Sequence, residues 1–457
     1  MPPSPFRPRR PRRLLPLVLV LVLVAALAVA GLVQAAGRRG GAAAPAGSTS
    51  SPATAAPTTG RPSAGQAAAA VPRQVRAVEA AVAELRGLRF RRRVPVTIES
   101  PAKLAKRLGA TVRAETDERD LARVGRALVL LGELPGGTDL PRLLSRVQAE
   151  SVLGFYVPGK PPKGRLYVRS SRGLDPYAKV VLAHELTHAV TDQHYDLTLS
   201  DRLQKAGKDD EQAAYSALVE GDATLLMQRY LVERLPPADQ AEAARIAAAQ
   251  RTPRRDAAPA ALRESLLFPY QEGLAFVRTL YQRGGWAAVD RAYPDPPDST
   301  EQILHPERYL DRRDRPQRVA LPDLAGRLGA GWRAATQVGF GELDARLLLE
   351  GELPVTTAEQ AAAGWDGGRL RTFERGGRTA MVLRTVWDSA FEAGQWCQAM
   401  SRWGDARFGP GAGSGGLTRW AGATQQAALV CRGARAAWLS APDRGGLDRL
   451  LAGLGGP

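Results

Sequence analysis

The chain is poor in the residues on which several functions depend. It has two cysteines in 457 residues. That number excludes a Cys-rich zinc module and a disulfide-stapled scaffold. It has no G-x-x-x-x-G-K-[ST] loop, which excludes the phosphate cradle of the P-loop hydrolases. Lysine is scarce as well. Seven of the 63 basic residues are Lys, which leaves 56 Arg against 46 acids and a net charge of +17. Such a charge could suggest nucleic acid as a partner. The arginines are spread along the chain, however, aromatics are only 6%, and no basic run is interleaved with them as a base-stacking surface requires. The reading is therefore no nucleic-acid partner and a background preference for Arg. The hydrophobic share of 44% is ample for a packed core, and at about 150 residues per domain the length allows two or three domains.

The one long hydrophobic run is N-terminal. Residues 1–13, MPPSPFRPRRPRR, form a basic segment with five Arg. They precede the uncharged stretch Leu14–Val33. Twenty residues at 1.5 Å rise span a bilayer core of about 30 Å, longer than the apolar core of a cleavable signal. Residues 14–36 are read as a transmembrane signal anchor, with the small residues Ala28, Ala30, Ala35 and Ala36 leaving cleavage and secretion open. Arg12 and Arg13 match a twin-arginine signal weakly. The Arg cluster should stay cytoplasmic, which places the rest of the chain outside the membrane. Residues 37–72, nearly all Gly, Ala, Ser, Thr, Pro and Gln, read as a disordered tether.

Folded sequence is expected from residue 73. VRAVEAAVAELRGL has helical spacing, VPVTIES reads as a strand, and three helices follow before a hairpin over Gly154–Ser170. Next comes a helix with Asp175 as N-cap and Pro176 at N1. Further helices are expected over Asp209–Arg234 and Pro259–Gln282. Residues 326–457 alternate differently and read as a smaller C-terminal module. The expected fold class is α+β: a mainly helical domain over 73–325 with a small β-sheet, plus this α+β module.

Histidine scarcity is the informative feature. Of four His, three (His184, His188, His194) fall within eleven residues. The capped helix carries His184-Glu185-Leu186-Thr187-His188, an H-E-x-x-H pattern expected by chance on the order of once in 10³ chains of this composition. Residues i and i+4 lie on one helix face, where two imidazoles can hold one Zn²⁺ at about 2.0–2.1 Å. Glu185, one position round, can then take a proton from an activated water. A third protein ligand is needed. His194 stands at the spacing of the H-E-x-x-H-x-x-G-x-x-H motif, but Thr191 occupies the position where Gly must break the helix. Met227 lies in a helix-like run rather than a turn. Glu220, on the apolar helix SALVEGDATLLMQRY, would complete a His₂Glu set and is preferred. Asp222 reads either as a hydrogen-bond partner for a ligand imidazole or as a helix charge.

HELTHAVTDQHYDL followed by LVEGDAT resembles the gluzincin metallopeptidases. It is still more similar to membrane-anchored bacterial proteins with HELTHA…DQH…EGDA and a later STEQ…HP segment. The resemblance covers roughly residues 75–325. It implies a zincin-like fold, His184, His188 and Glu220 as zinc ligands, and Glu185 as catalytic base. The chain departs from thermolysin-like enzymes in ligand spacing and in having Thr224 where E-x-x-x-D would place Asp.

Hydrolysis builds charge on a carbonyl oxygen, so a stabilising side chain is also expected. His305, in a Pro-flanked loop, is the first candidate, with Tyr270 and Tyr195 as alternatives. Cys397 and Cys431 can form a disulfide in an oxidising compartment, and Trp365, Trp387, Trp396, Trp403, Trp420 and Trp438 of the C-terminal module read as core or surface anchors. The sequence thus points to an extracytoplasmic, membrane-anchored zinc metallopeptidase acting on a peptide or protein of the cell envelope. A non-enzymatic envelope protein that binds through a peptidase-like fold is the alternative.

Overall fold

The structure, a computed structural model, describes residues 64–115, 117–159, 164–170 and 173–454, with backbone alone for 64–69, 114 and 115. The basic segment 1–13, the anchor 14–36 and most of the tether lie outside these residues. Among the described residues no helix is long and apolar enough to cross a membrane.

Helix α1 (Ala64–Arg86) starts inside the expected tether. Alanine is the strongest helix former, and AGQAAAA carries the helix back through Pro72 to Ala64. It is followed by β1 (Val96–Glu99), α2 (Pro101–Glu115), α3 (Glu118–Leu131), α4 (Leu140–Ser151), β2 (Gly154–Val157) and β3 (Arg165–Arg169). Asp117 and Asp139 cap α3 and α4 through hydrogen bonds from Arg119 and Arg142 amides. Then come α5 (Pro176–Tyr195), α6 (Leu199–Lys205), α7 (Asp209–Arg234), α8 (Pro237–Ala249), α9 (Pro253–Asp256) and α10 (Ala260–Ala292). Helix α8 was not expected, and α10 runs past Gln282 across a kink at Gly284 and Gly285.

Helix α5 is the centre of the N-terminal domain. The Asp175 side chain accepts from the Ala178 amide at 2.7 Å, as the sequence predicts for its cap. Every residue from Val180 to Gln193 is buried. A helix buried on all sides needs no amphipathic stripe, and α5 runs through the middle of the domain. Helices α1, α7 and α8 pack around it, and β2 and β3 cover another side. The three-stranded sheet has the order β1-β3-β2, with β1 parallel and β2 antiparallel to β3.

Short helices α11 (Thr300–Leu304), α12 (Pro306–Leu310) and α13 (Ala325–Leu328) lead into the second unit. It comprises β4 (Arg333–Gly339), α14 (Glu342–Glu350), α15 (Val355–Ala362), β5 (Trp365–Arg375), β6 (Arg378–Trp387), α16 (Ala390–Phe408), β7 (Ala412–Ser414), β8 (Leu417–Ala421), β9 (Gln426–Arg432), β10 (Arg435–Ala441) and α17 (Arg444–Leu454). The seven strands form one antiparallel sheet, β4-β5-β6-β10-β9-β8-β7. Period-two alternation gives it two apolar faces. One carries Trp387, Trp396, Trp403, Trp420 and Trp438 with α16. The other packs against α13 and α17 through Leu328, Phe373, Leu439 and Leu450. All seven tryptophans of this unit, Trp332 included, are buried core residues. A Cys397–Cys431 disulfide ties α16 to β9. The architecture is therefore α+β, a mainly helical unit joined to a sheet unit.

Candidate metal centre

The helical spacing does what the motif requires. His184 and His188 stand one turn apart on α5, and their Nε2 atoms lie 3.0 Å from each other. Helix α7 crosses α5 and brings Glu220 to the same point. Its Oε2 is 3.1 Å from His184 Nε2 and 3.4 Å from His188 Nε2. Ligands at about 2.0–2.1 Å around one tetrahedral ion stand about 3.3 Å apart, so the three atoms have the spacing of a ligand set. His184, His188 and Glu220 are all buried. Burial pushes the His184 imidazole down to about 4 against the pull of Glu220. Burial alone would raise Glu220, but the facing imidazoles hold its carboxyl down at about 2. Both directions lead to the forms a cation binds, neutral imidazole and carboxylate.

Glu185 lies beside this cluster, against β2, where a Cβ placed on Gly154 would come within 3.1 Å of Glu185 Cγ. Burial pushes its carboxyl well above the usual range, and the Glu220 charge adds to the shift. The Tyr156 amide opposes it, yet neither Glu185 oxygen makes a hydrogen bond of normal geometry, and His184 Nδ1 is buried without a partner as well. Buried polar atoms are normally paired. Unpaired ones around the His184, His188 and Glu220 cluster fit a candidate site for a cation.

Tyr270, from α10, stands beside the cluster. Its ring lies 6.3 Å from the His184 ring, centroid to centroid. Burial first, then the charges of Glu220 and Glu185, push its hydroxyl well up.

Other expected residues lie elsewhere. Helix α5 continues unbroken through His194, whose Nε2 pairs with the Arg89 carbonyl oxygen at 2.9 Å. His305 does not join the cluster. Its Nε2 is 2.9 Å from Glu342 Oε1 in α14, so the geometry does not bear out its catalytic assignment. Tyr195 stacks on Tyr293 at 4.6 Å.

Asp222 does not bond an imidazole among the described contacts. It accepts from Arg86 Nε at 2.8 Å, Arg86 Nη2 at 3.1 Å and Tyr293 Oη at 2.7 Å. Arg86 also reaches Asp290 at 2.7 Å and lies over Trp286. This buried pair fastens α1 and α10 to α7 two residues from Glu220. Arg86 was not foreseen, although it extends the i, i+4 stripe of Val78 and Val82, both buried.

A second group of carboxylates, Glu301, Asp314 and Asp388, lies close enough to share a cation. Arg308 already occupies it, contacting Asp314, Asp388 at 2.8 Å and Glu301 at 3.4 Å.

Residues 331–451, the sheet unit, match a family described as Domain of unknown function (DUF8575). No curated protein matches the chain. A crystal structure from Chloroflexus aurantiacus, of a protein provisionally assigned as a hydrolase with a novel fold, is similar at 21% identity. It covers 54% of this chain and 90% of its own, with a TM-score of 0.37, too low to establish a shared fold.

Proposed function

We propose that the chain is a zinc-dependent peptidase held outside the membrane by residues 14–36. The observation that carries this reading is the convergence of His184 Nε2, His188 Nε2 and Glu220 Oε2 within 3.4 Å, with Glu185 alongside. His184, His188 and Glu220 would hold the ion, and their mixed nitrogen and oxygen set suits zinc. Bound there, zinc supplies a Lewis acid that polarises the scissile carbonyl and lowers the pKa of water.

The protein's own residues do the rest. Glu185 accepts the proton of the attacking water. It then delivers that proton to the leaving amine. Tyr270, beside Glu220 and Glu185, is a protonated donor at neutral pH and can hydrogen-bond the developing oxyanion. That assigns to Tyr270 the role expected of His305. The Cys397–Cys431 disulfide agrees with an oxidising compartment outside the cytoplasm.

The test is Glu185→Gln in full-length protein, assayed on a mixed peptide library with zinc measured in parallel. The expected result is unchanged zinc content and a fall in rate of about 10²–10⁴-fold. Full activity in the variant would overturn the mechanism. A native chain that binds zinc but cleaves no peptide would favour the binding protein instead.

A further inference from the structure

Between the two units lies a cavity that the hydrolytic reading does not use. Its apolar walls come from α3 (Leu128, Leu131), α10 (Leu262, Phe268) and β4 with the residue after it (Val338, Phe340). Its volume is about 170 Å³. An apolar cavity of roughly 150 Å³ is already large enough to hold benzene. It shares Glu133, Leu134 and Phe268 with a wider outer cleft, which gives it a route to solvent.

One part of the wall is acidic. Glu133, Asp209, Asp210 and Asp344 all line the cavity, and no Lys, Arg or His does among the described residues. Three of these side chains are fixed by the protein. Asp209 Oδ2 accepts from the Gly339 amide at 2.6 Å, Asp210 from Thr300 Oγ1 at 2.6 Å, and Asp344 from the Gly341 amide at 2.8 Å. Asp209 Oδ1, in contrast, is buried and makes no hydrogen bond. Thr336 Oγ1, on β4, is also without a partner in a residue only 4% exposed. Burial, followed by the charges of neighbouring carboxylates, pushes Glu133 up to about 8 and Asp210 well up, and burial pushes Asp344 up to about 6. Arg369, outside the lining, partly offsets the shift of Asp209, but no cation stands in the cavity wall among the described residues. Buried carboxylates without a close counter-ion destabilise a protein, and Asp209 Oδ1 and Thr336 Oγ1 lack a partner.

A metal ion does not answer this arrangement. These carboxylates do not meet within ligand distance of a common point, and the remaining walls are hydrocarbon. An ammonium group on an apolar body matches both halves. It supplies N–H donors and positive charge at the acidic end and fills the apolar end. We propose that this cavity binds a small amphipathic amine, with its cation at Glu133 and Asp209 and its hydrocarbon part among Leu128, Leu262 and Phe268.

The test uses full-length detergent-purified protein and two probe pairs, 2-phenylethylamine with 2-phenylethanol and hexylamine with hexanol. Binding is followed calorimetrically at a pH above about 8, where Glu133 is ionised. At least one amine should bind about tenfold or more tightly than its alcohol, the gain expected of one charge-assisted hydrogen bond. Glu133→Gln and Asp209→Asn, checked for native circular dichroism, should each shrink that preference. Equal binding of amine and alcohol in both pairs, or no binding of any probe, would overturn the proposal. So would an undiminished preference in folded Glu133→Gln. The comparison in the native chain decides the matter even where a variant does not fold.

Discussion

Gly221 and Gly273 bring the backbones of α7 and α10 into direct contact. A Cβ on Gly221 would lie 2.1 Å from the Gly273 carbonyl oxygen, and a Cβ on Gly273 would lie 2.2 Å from that of Ala217. The crossing seats Glu220, the residue before Gly221, and it sets how closely Tyr270, one turn before Gly273, approaches the site. The obstacle is backbone, so no rotamer change can relieve it. Gly221→Ala should therefore push the helices apart and destabilise the protein by about 1–3 kcal/mol, the usual cost of overpacking. It should also lower zinc affinity. Denaturant unfolding and metal analysis check both, and a variant with native stability and native zinc content would refute the role given to this contact.

The identity of the third ligand is open to a direct comparison. Glu220→Ala removes an atom that stands 3.1 Å and 3.4 Å from the two imidazole nitrogens. His194→Ala removes one hydrogen bond to the Arg89 carbonyl at the end of α5. The first should abolish stoichiometric zinc. The second should leave zinc in place and change stability by no more than about 1 kcal/mol. The opposite pattern would move the site to the alternative spacing.

Much of the site was legible because it is local. The i, i+4 pair and its Asp175-Pro176 start obey helix geometry that needs no knowledge of the rest of the fold. Glu220 was reachable as a candidate because a His₂Glu set needs one carboxylate, and the structure brings it to the two imidazoles. The contact of His305 was not legible, for the complementary reason. Its sequence setting gave no sign of Glu342, which lies 37 residues away on another unit and pairs with it. Asp222 was ambiguous because its partner, Arg86, is 136 residues distant. Helix α8 and strands β4, β7 and β8 were also missed, since short elements with weak periodicity are fixed by tertiary packing. Gly221 could have been noticed, because a glycine in a buried helix interior weakens it unless close packing compensates.

The disulfide crosslinks α16 and β9 across 34 residues. Loop-closure entropy for a span of that length corresponds to about 3–4 kcal/mol. Replacing both Cys397 and Cys431 by Ala should lower the unfolding free energy of the sheet unit by that order. The peptidase activity proposed above should persist in the folded variant, because the disulfide lies in the other unit. Thermal unfolding with and without reductant, followed by tryptophan fluorescence, reads the first effect. The buried tryptophans of this face pack in the cluster that Cys397 and Cys431 adjoin. No change in unfolding would show that the crosslink adds nothing to the folded unit.

The acidic wall between the units gives a pH dependence of definite sign. Glu133 is surrounded by protein yet opens to the cleft, and burial, then the Asp344 charge, raises its carboxyl from an ordinary 4.5 to about 8. A raised acid holds its proton longer in the folded state. Its contribution to stability is complete below 4.5 and is lost as pH rises through about 8. Asp209 and Asp344, raised to about 6, act in the same direction over the lower part of that range. Glu133→Gln is neutral at every pH. Relative to the native chain it should therefore gain stability steadily from about pH 5 to above pH 8, whatever its effect at the acidic end. Urea unfolding of both proteins at several pH values gives this double difference, in which other titrating groups largely cancel. A difference that stays constant over the range would mean that Glu133 ionises without cost and that the wall carries no electrostatic strain for a cation to relieve.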